Sequence, residues 1–179
     1  MSLTVPRPSE GDFASFYGTY VNAVGLEEDP VQLLKDQSDR LQKSLISMSD
    51  GVALYRYESG KWSIKDVVGH LTDAERIFST RLLRVLRGDG TPQPGFDEGE
   101  YVDAGRFDER SVKNLVDEWS AVRAATICLA GSATVEDWEK KGVVNGSATT
   151  AGALLYILTG HALHHERVLV ERYGLKIVD

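Results

Sequence analysis

The chain has 179 residues, enough for one domain with a full core. Hydrophobic residues make up 42% and charged residues 26%, and 27 acids against 20 Lys and Arg give a net charge of −7. With no Lys/Arg cluster to neutralise phosphates, that balance argues against nucleic acid and anionic membrane surfaces as partners.

No apolar run approaches the ~18 residues of a membrane-spanning helix, and the N-terminus lacks a basic-then-apolar leader. The single cysteine, Cys128, precludes an internal disulfide and fits a reducing compartment. The expected location is cytoplasmic. Cys128 itself sits in an apolar helical run and reads as core.

Residues 1–10 carry two prolines and no periodicity, so they read as an extended arm. Phe13, Phe16, Tyr17, Tyr20, Val21 and Val24 have helical spacing and predict a short helix. Asp29-Pro30 is a helix start, with a carboxylate at N-cap and proline at N1. Leu34, Leu41, Leu45 and Met48 continue a first long helix to about Ser49. Residues 51–62 read as a loop, with a short extended piece around Tyr55 and Tyr57. Ser63 is the next N-cap, with Asp66 completing a variant capping box. The second long helix runs to about Arg87 on a stripe from Ile64 to Leu86, with His70 on its flank beside Ala74.

Residues 88–107 hold prolines, glycines and acids without a helical period, and predict a long loop of the crossover or lid type. A third long helix follows from about Asp108 to Ala130, with Val112, Leu115, Val116, Trp119, Val122 and Thr126 facing inward. One or two turns are expected around Trp138. Asn145-Gly146-Ser147 reads as a turn into the N-cap of a fourth long helix, from about Ala148 to Tyr173.

Four long amphipathic segments without a convincing strand pattern predict an all-α fold, a four-helix bundle. The expected organisation is an arm and short helix over residues 1–29 and the bundle over 30–179. The second helix spans roughly 37 Å at ~1.5 Å per residue. The twenty-residue link after it can stretch ~66–72 Å, so it can return along the bundle as a long crossover. The second and third helices then run parallel, giving an up-down-down-up topology.

In the last helix Leu154, Leu158, His161, His165 and Val168 share an arc of roughly 80°. Two imidazoles four residues apart point the same way and can share one ion; the other reading is a pair of hydrogen-bonded core histidines. His164 lies roughly 80° off that stripe. In an up-down-down-up bundle His70 meets His161 and His165. Three neutral ligands leave an open position, as catalytic zinc sites do. Zinc is the default ion, and imidazole also suits nickel, iron and manganese. Glu166 reads as a solvated helix face and Asp73 as an exposed acid; their rival roles are outer partners of the histidines.

Lys61-Trp62-Ser63-Ile64-Lys65-Asp66-Val67-Val68-Gly69-His70-Leu71, the run Thr91-Pro92-Gln93-Pro94-Gly95-Phe96-Asp97-Glu98 through Tyr101, and His161-Ala162-Leu163-His164-His165 together resemble the DinB/YfiT-like superfamily. The resemblance spans about Pro30 to Gly174. It implies an up-down-down-up four-helix bundle, a metal site on His70, His161 and His165, and frequent homodimers. Some relatives are thiol S-transferases or maleylpyruvate isomerases using low-molecular-weight thiols, and others have been described as metal-dependent hydrolases. Where members commonly show Arg-Gly-Gln after the paired histidines, this chain has Glu166-Arg167-Val168.

Three readings of function remain open. The first is an enzyme in which a divalent ion, zinc or nickel, activates water or a small thiol against a small-molecule substrate. The returning crossover supplies Glu98, Glu100 and Tyr101 as candidate catalytic groups. The second is a non-catalytic metal-binding stress-response protein. The third is a plain bundle whose histidines satisfy one another.

Overall fold

A computed structural model describes residues 5–178, so the first four residues of the expected arm at 1–10 and the final residue lie outside the described residues. After a single 3-10 turn at Ser15–Tyr17, α1 spans Gly18–Ala23 and α2 Pro30–Ile46. Asp29 caps α2 by accepting a hydrogen bond from the Val31 amide at 2.8 Å. The next segment, expected as loop, contains the four-residue α3, Asp50–Ala53, capped by Ser49. Tyr55 and Tyr57 form no strand; both pack edge-on against Tyr173.

The long helix α4, Ile64–Leu86, begins with the full capping box. Ser63 Oγ accepts from the Asp66 amide, and the Asp66 carboxylate accepts from the Ser63 amide, each at 3.0 Å. The segment 88–107 is not structureless as expected. It holds α5, Glu98–Gly105, capped by Asp97, and a 3-10 turn at Phe107–Glu109. Then α6 spans Val112–Gly131 with Ser111 as its cap. Its buried stripe runs Val112, Leu115, Val116, Trp119, Arg123, Thr126 and Ala130. Arg123, not Val122, faces the interior, and Cys128 is exposed rather than core.

A second correction concerns residues 141–150. They form a hairpin, β1 Lys141–Val144 and β2 Ser147–Thr150. Asn145 and Gly146 turn it with φ of 49° and 77°, the paired positive angles of a tight hairpin that Asn-Gly favours. Thr150, the last strand residue, caps α7, Ala151–Tyr173. Trp138 is buried in the 3-10 turn Glu136–Glu139 that precedes the hairpin.

The order of cross-helix contacts gives the helix directions. Lys65 reaches the Arg110 carbonyl, and Glu75 pairs with Arg123, so α4 and α6 run in the same sense. Tyr173 donates to the Trp62 carbonyl, while His70 meets His165 and Phe78 packs on His161, so α7 runs against α4. Thr159 donates to the Pro30 carbonyl and Arg40 pairs with Glu166, so α2 and α7 are parallel.

The crossover is pinned along its length. The Gln93 amide donates to the Val143 carbonyl and the Asn145 amide to the Gln93 carbonyl, fixing one end to the hairpin. Arg81 Nη2 donates to the Pro94 carbonyl at 2.6 Å. Phe107 lies over Gly69, where an added Cβ would come within 2.3 Å of its ring, and Asp108 accepts from Ser63 Oγ at 2.5 Å. Residues 93 to 108 therefore travel back from the end of α4 to its start. No helix among the described residues is long and apolar enough to cross a membrane.

Candidate metal centre

His70 occupies the second turn of α4, and His161 and His165 successive turns of α7. Because the two helices run oppositely, the three rings converge. His70 Nε2 is 3.0 Å from His161 Nε2 and 3.1 Å from His165 Nε2. These are the histidines expected to meet, and they form the cluster of potential metal-ligating atoms found among the described residues. The rings around them are apolar. Trp62 lies 4.8 Å from the His70 ring, and Phe78 and Tyr20 lie 5.5 and 5.4 Å from that of His161.

Tyr20 reaches this position because Gly160 precedes His161. A Cβ at Gly160 would sit 1.9 Å from the Tyr20 carbonyl oxygen. Only a residue without a side chain lets α1 lie directly on α7 there, so even Ala would force the helices apart.

Burial, then the charge of His164, pushes His70 down to about 4. Burial also holds His161 and His165 well below the ordinary imidazole value, with neighbouring histidines adding to the effect. All three therefore favour the neutral form, which is the form that ligates metal. The donor set fits a divalent ion on spacing as well. Bonds of ~2.0–2.1 Å would separate ligand atoms by ~2.9 Å at right angles and ~3.3 Å at a tetrahedral angle. The observed 3.0 and 3.1 Å fall between these values.

Of the three crossover candidates, the structure brings one to the histidines. Glu98 Oε2 is 3.9 Å from His70 Nε2, on a side chain 62% exposed. Glu100 is exposed, and Tyr101 packs against Phe96 at 5.2 Å in a separate surface depression. Asp73 pairs with Arg76 rather than His70; burial raises its pKa, against the lowering by Arg76. Glu166 is not the solvated residue expected: it is buried and takes a two-pronged ion pair from Arg40, at 3.1 and 3.2 Å. His164 stands aside from the convergence, against Tyr20 and His165.

A cavity of about 390 Å³ opens beside His161, bounded by Tyr20, Phe78, Arg81, Phe96 and Glu98. Sequence reasoning passed over Arg81, although it lies eleven residues after His70. That spacing puts it about 20° from His70 on the helical wheel. It also passed over Glu75 and Arg123, which form a buried ion pair on the other side of α4.

A family model described as the DinB superfamily matches residues 33–169. A protein of Oceanobacillus iheyensis named "Putative metal-dependent hydrolase" is 24% identical over 137 residues, covering 74% of this chain and 76% of that one. Among solved structures, YfiT from Bacillus subtilis is described as "a probable metal-dependent hydrolase with an unusual four-helix bundle topology". It superposes with a TM-score of 0.72 at 18% identity, over 96% of this chain and 95% of that one. A mycothiol-dependent maleylpyruvate isomerase gives a TM-score of 0.65 at 11% identity, over 82% of this chain and 60% of that one. At these identities the two structures speak to the fold alone.

Proposed function

This chain belongs to the DinB superfamily, and from that premise we propose that it is a metal-dependent hydrolase holding a divalent ion on His70, His161 and His165. The observation that carries the reading is the convergence of three imidazoles, with His70 Nε2 3.0 and 3.1 Å from the Nε2 atoms of His161 and His165, beside an open cavity. Zinc suits this donor set first and nickel next. Such an ion supplies Lewis acidity, polarising a carbonyl and making water nucleophilic near neutral pH.

The chain's own groups do the rest. Trp62, Phe78 and Tyr20 pack around the histidines. Glu98 is the proton acceptor in this reading, supported by its 3.9 Å approach to His70 Nε2. Water oxygen bonds to the acyl carbon, the bond to the leaving atom breaks, and the proton taken by Glu98 passes to that leaving atom.

The test is metal analysis of the purified protein followed by hydrolysis assays on small esters and amides. About one ion per chain, activity lost to chelator and restored by zinc or nickel, is expected. Glu98→Gln should lower kcat by about 10²–10⁴-fold and keep the ion. Parallel assays with a low-molecular-weight thiol in place of water as nucleophile separate hydrolysis from thiol transfer. A chain that takes up no ion, or hydrolysis indifferent to chelator, overturns the reading.

A further inference from the structure

Arg81 is 4% exposed and makes no ion pair among the described residues. Burying a guanidinium without an opposite charge is costly. This chain has 27 acids against 20 Lys and Arg, yet none among the described residues pairs with Arg81. The other deeply buried arginine of the bundle, Arg123, is clasped by both oxygens of Glu75.

The surroundings of Arg81 restrict what could balance it. Phe78 and Phe96 lie 5.6 and 5.8 Å from the guanidinium carbon, so aromatic rings cover it. Nη2 gives one of its two N–H groups to the Pro94 carbonyl, so its second N–H remains beside Nε or Nη1 for a two-oxygen contact. Its Nε and Nη1 have no hydrogen-bond partner among the described residues. Arg81 borders the 390 Å³ cavity that also touches His161. Phe78 lies between the two, 5.5 Å from the His161 ring and 5.6 Å from the guanidinium. The cavity thus runs from a cation, past an aromatic surface, to His161, one of the three converging histidines.

That arrangement describes a ligand. A carboxylate is planar, carries one charge and matches the edge of a guanidinium with two oxygens. A phosphate dianion fits less well, because no lysine and no second arginine borders the cavity, whereas Glu98 does. The aromatic walls suit an apolar body, and the volume suits a small molecule. Resting on the hydrolase reading above, we propose that the substrate is a small monocarboxylate with an apolar body. Its carboxylate sits on Arg81 and its hydrolysable bond at the His70/His161/His165 end. Arg81 is then the residue that selects substrates by charge and sets the distance from carboxylate to scissile bond.

The test uses two probes of one shape, 3-phenylpropionate and its neutral amide 3-phenylpropionamide. They are titrated into the full chain by NMR, following the Arg81 Nε–Hε resonance, in both chelator-treated and zinc-loaded protein. The chelator-treated arm removes attraction to an ion, and at about pH 7.5 the histidines are neutral. There the acid should bind at least about tenfold tighter than the amide, and only the acid should move the Arg81 resonance. Arg81→Gln should erase the preference while leaving amide affinity unchanged; Arg81→Lys should keep part of it. Equal affinities in wild type, an unmoved Arg81 resonance, or a preference that survives Arg81→Gln would overturn the proposal. A preference in metal-free protein that holds while the zinc-loaded chain hydrolyses nothing would support the carboxylate site and sink the hydrolase reading alone.

Discussion

Two polar clusters sit inside this bundle on opposite sides of α4. Glu75 and His70 are five residues apart, about 140° around the helix. Glu75 faces α6 and α2, where Arg123 Nε donates to both its oxygens, at 2.7 and 2.9 Å. Arg123 Nη1 donates to the Leu34 carbonyl and to Gln37, and the guanidinium stacks on Trp119 at 5.0 Å. His70 faces α7 and meets two groups of its own kind. The first cluster joins opposite charges, as a structural pair does, although Arg123 Nη2 and Gln37 Nε2 keep no hydrogen-bond partner there. The second holds no opposite charge to pair. A neutral imidazole nitrogen either donates or accepts, so three Nε2 atoms at one point leave repulsion or an unmade bond. A cation resolves that conflict, which is why convergence of like groups marks a site and pairing of unlike groups marks scaffold.

The contrast is broken most severely by Glu75→Ala. It leaves a fully buried guanidinium unpaired and should cost ~3–5 kcal/mol in denaturant unfolding. Replacing Glu75 and Arg123 together by apolar residues should recover much of that loss. A cost below ~1 kcal/mol for the single change would mean that the pair is not what holds α4 to α6 and α2. His161→Ala should do the opposite. Metal affinity should fall by more than ~100-fold, since loss of mere outer partners costs about 10–100-fold. Metal-free stability should fall far less than in Glu75→Ala. Equilibrium dialysis with zinc and urea melts under chelator measure the two separately, and an unchanged zinc affinity would remove His161 from the ligand set.

The histidine side of this contrast was legible in the sequence, and the arginine side was not. His161 and His165 interrupt an apolar stripe where Leu belongs, and the caps at Asp29 and Ser63 fix helix starts to the residue. Glu75 and Arg123 look like surface residues on their own helices; their partnership joins positions 48 apart. Arg40 and Glu166 join positions 126 apart, so Glu166 passes for a solvated acid. The helix α5 was missed because eight residues with two glycines give no period. It holds through the Asp97 cap and the burial of Val102. The hairpin strands are four residues each, too short to show alternation, and Asn145-Gly146 was the signal that should have named them.

The pH response of metal-free protein sharpens the comparison further. Burial, with the charge of His164, lowers His70 in the folded state to about 4, below an unfolded value of ~6.5. Between those values the unfolded chain binds a proton that the folded site refuses. Stability from the neutral site is therefore full above ~6.5 and is lost as pH falls toward the folded value. His161 and His165 are shifted in the same direction. With all three contributing, about 2 kcal/mol at most should disappear between about pH 7 and pH 6. Urea titrations under chelator measure this. His70→Asn should flatten the slope and Glu75→Gln should leave it unchanged; a slope insensitive to His70 would place the titration elsewhere.

The smallest effect is expected at His164, and it decides whether convergence or mere proximity defines the centre. His164 adjoins His165 in sequence, with its ring 5.0 Å away, and it packs against Tyr20 at 5.8 Å. Its position on α7 lies 100° from His165, so its nitrogens are not among the three that converge. Its Nδ1 is buried without a hydrogen-bond partner among the described residues. Removing the ring thus breaks no hydrogen bond and removes an unmet one. His164→Ala should hold zinc within about twofold of wild type, well short of the ~10-fold that even an outer partner of a ligand costs. It should also leave melting under chelator nearly unchanged. Loss of zinc binding on the scale of His161→Ala would mean that the edge of the cavity, not the meeting point of α4 and α7, carries the ion.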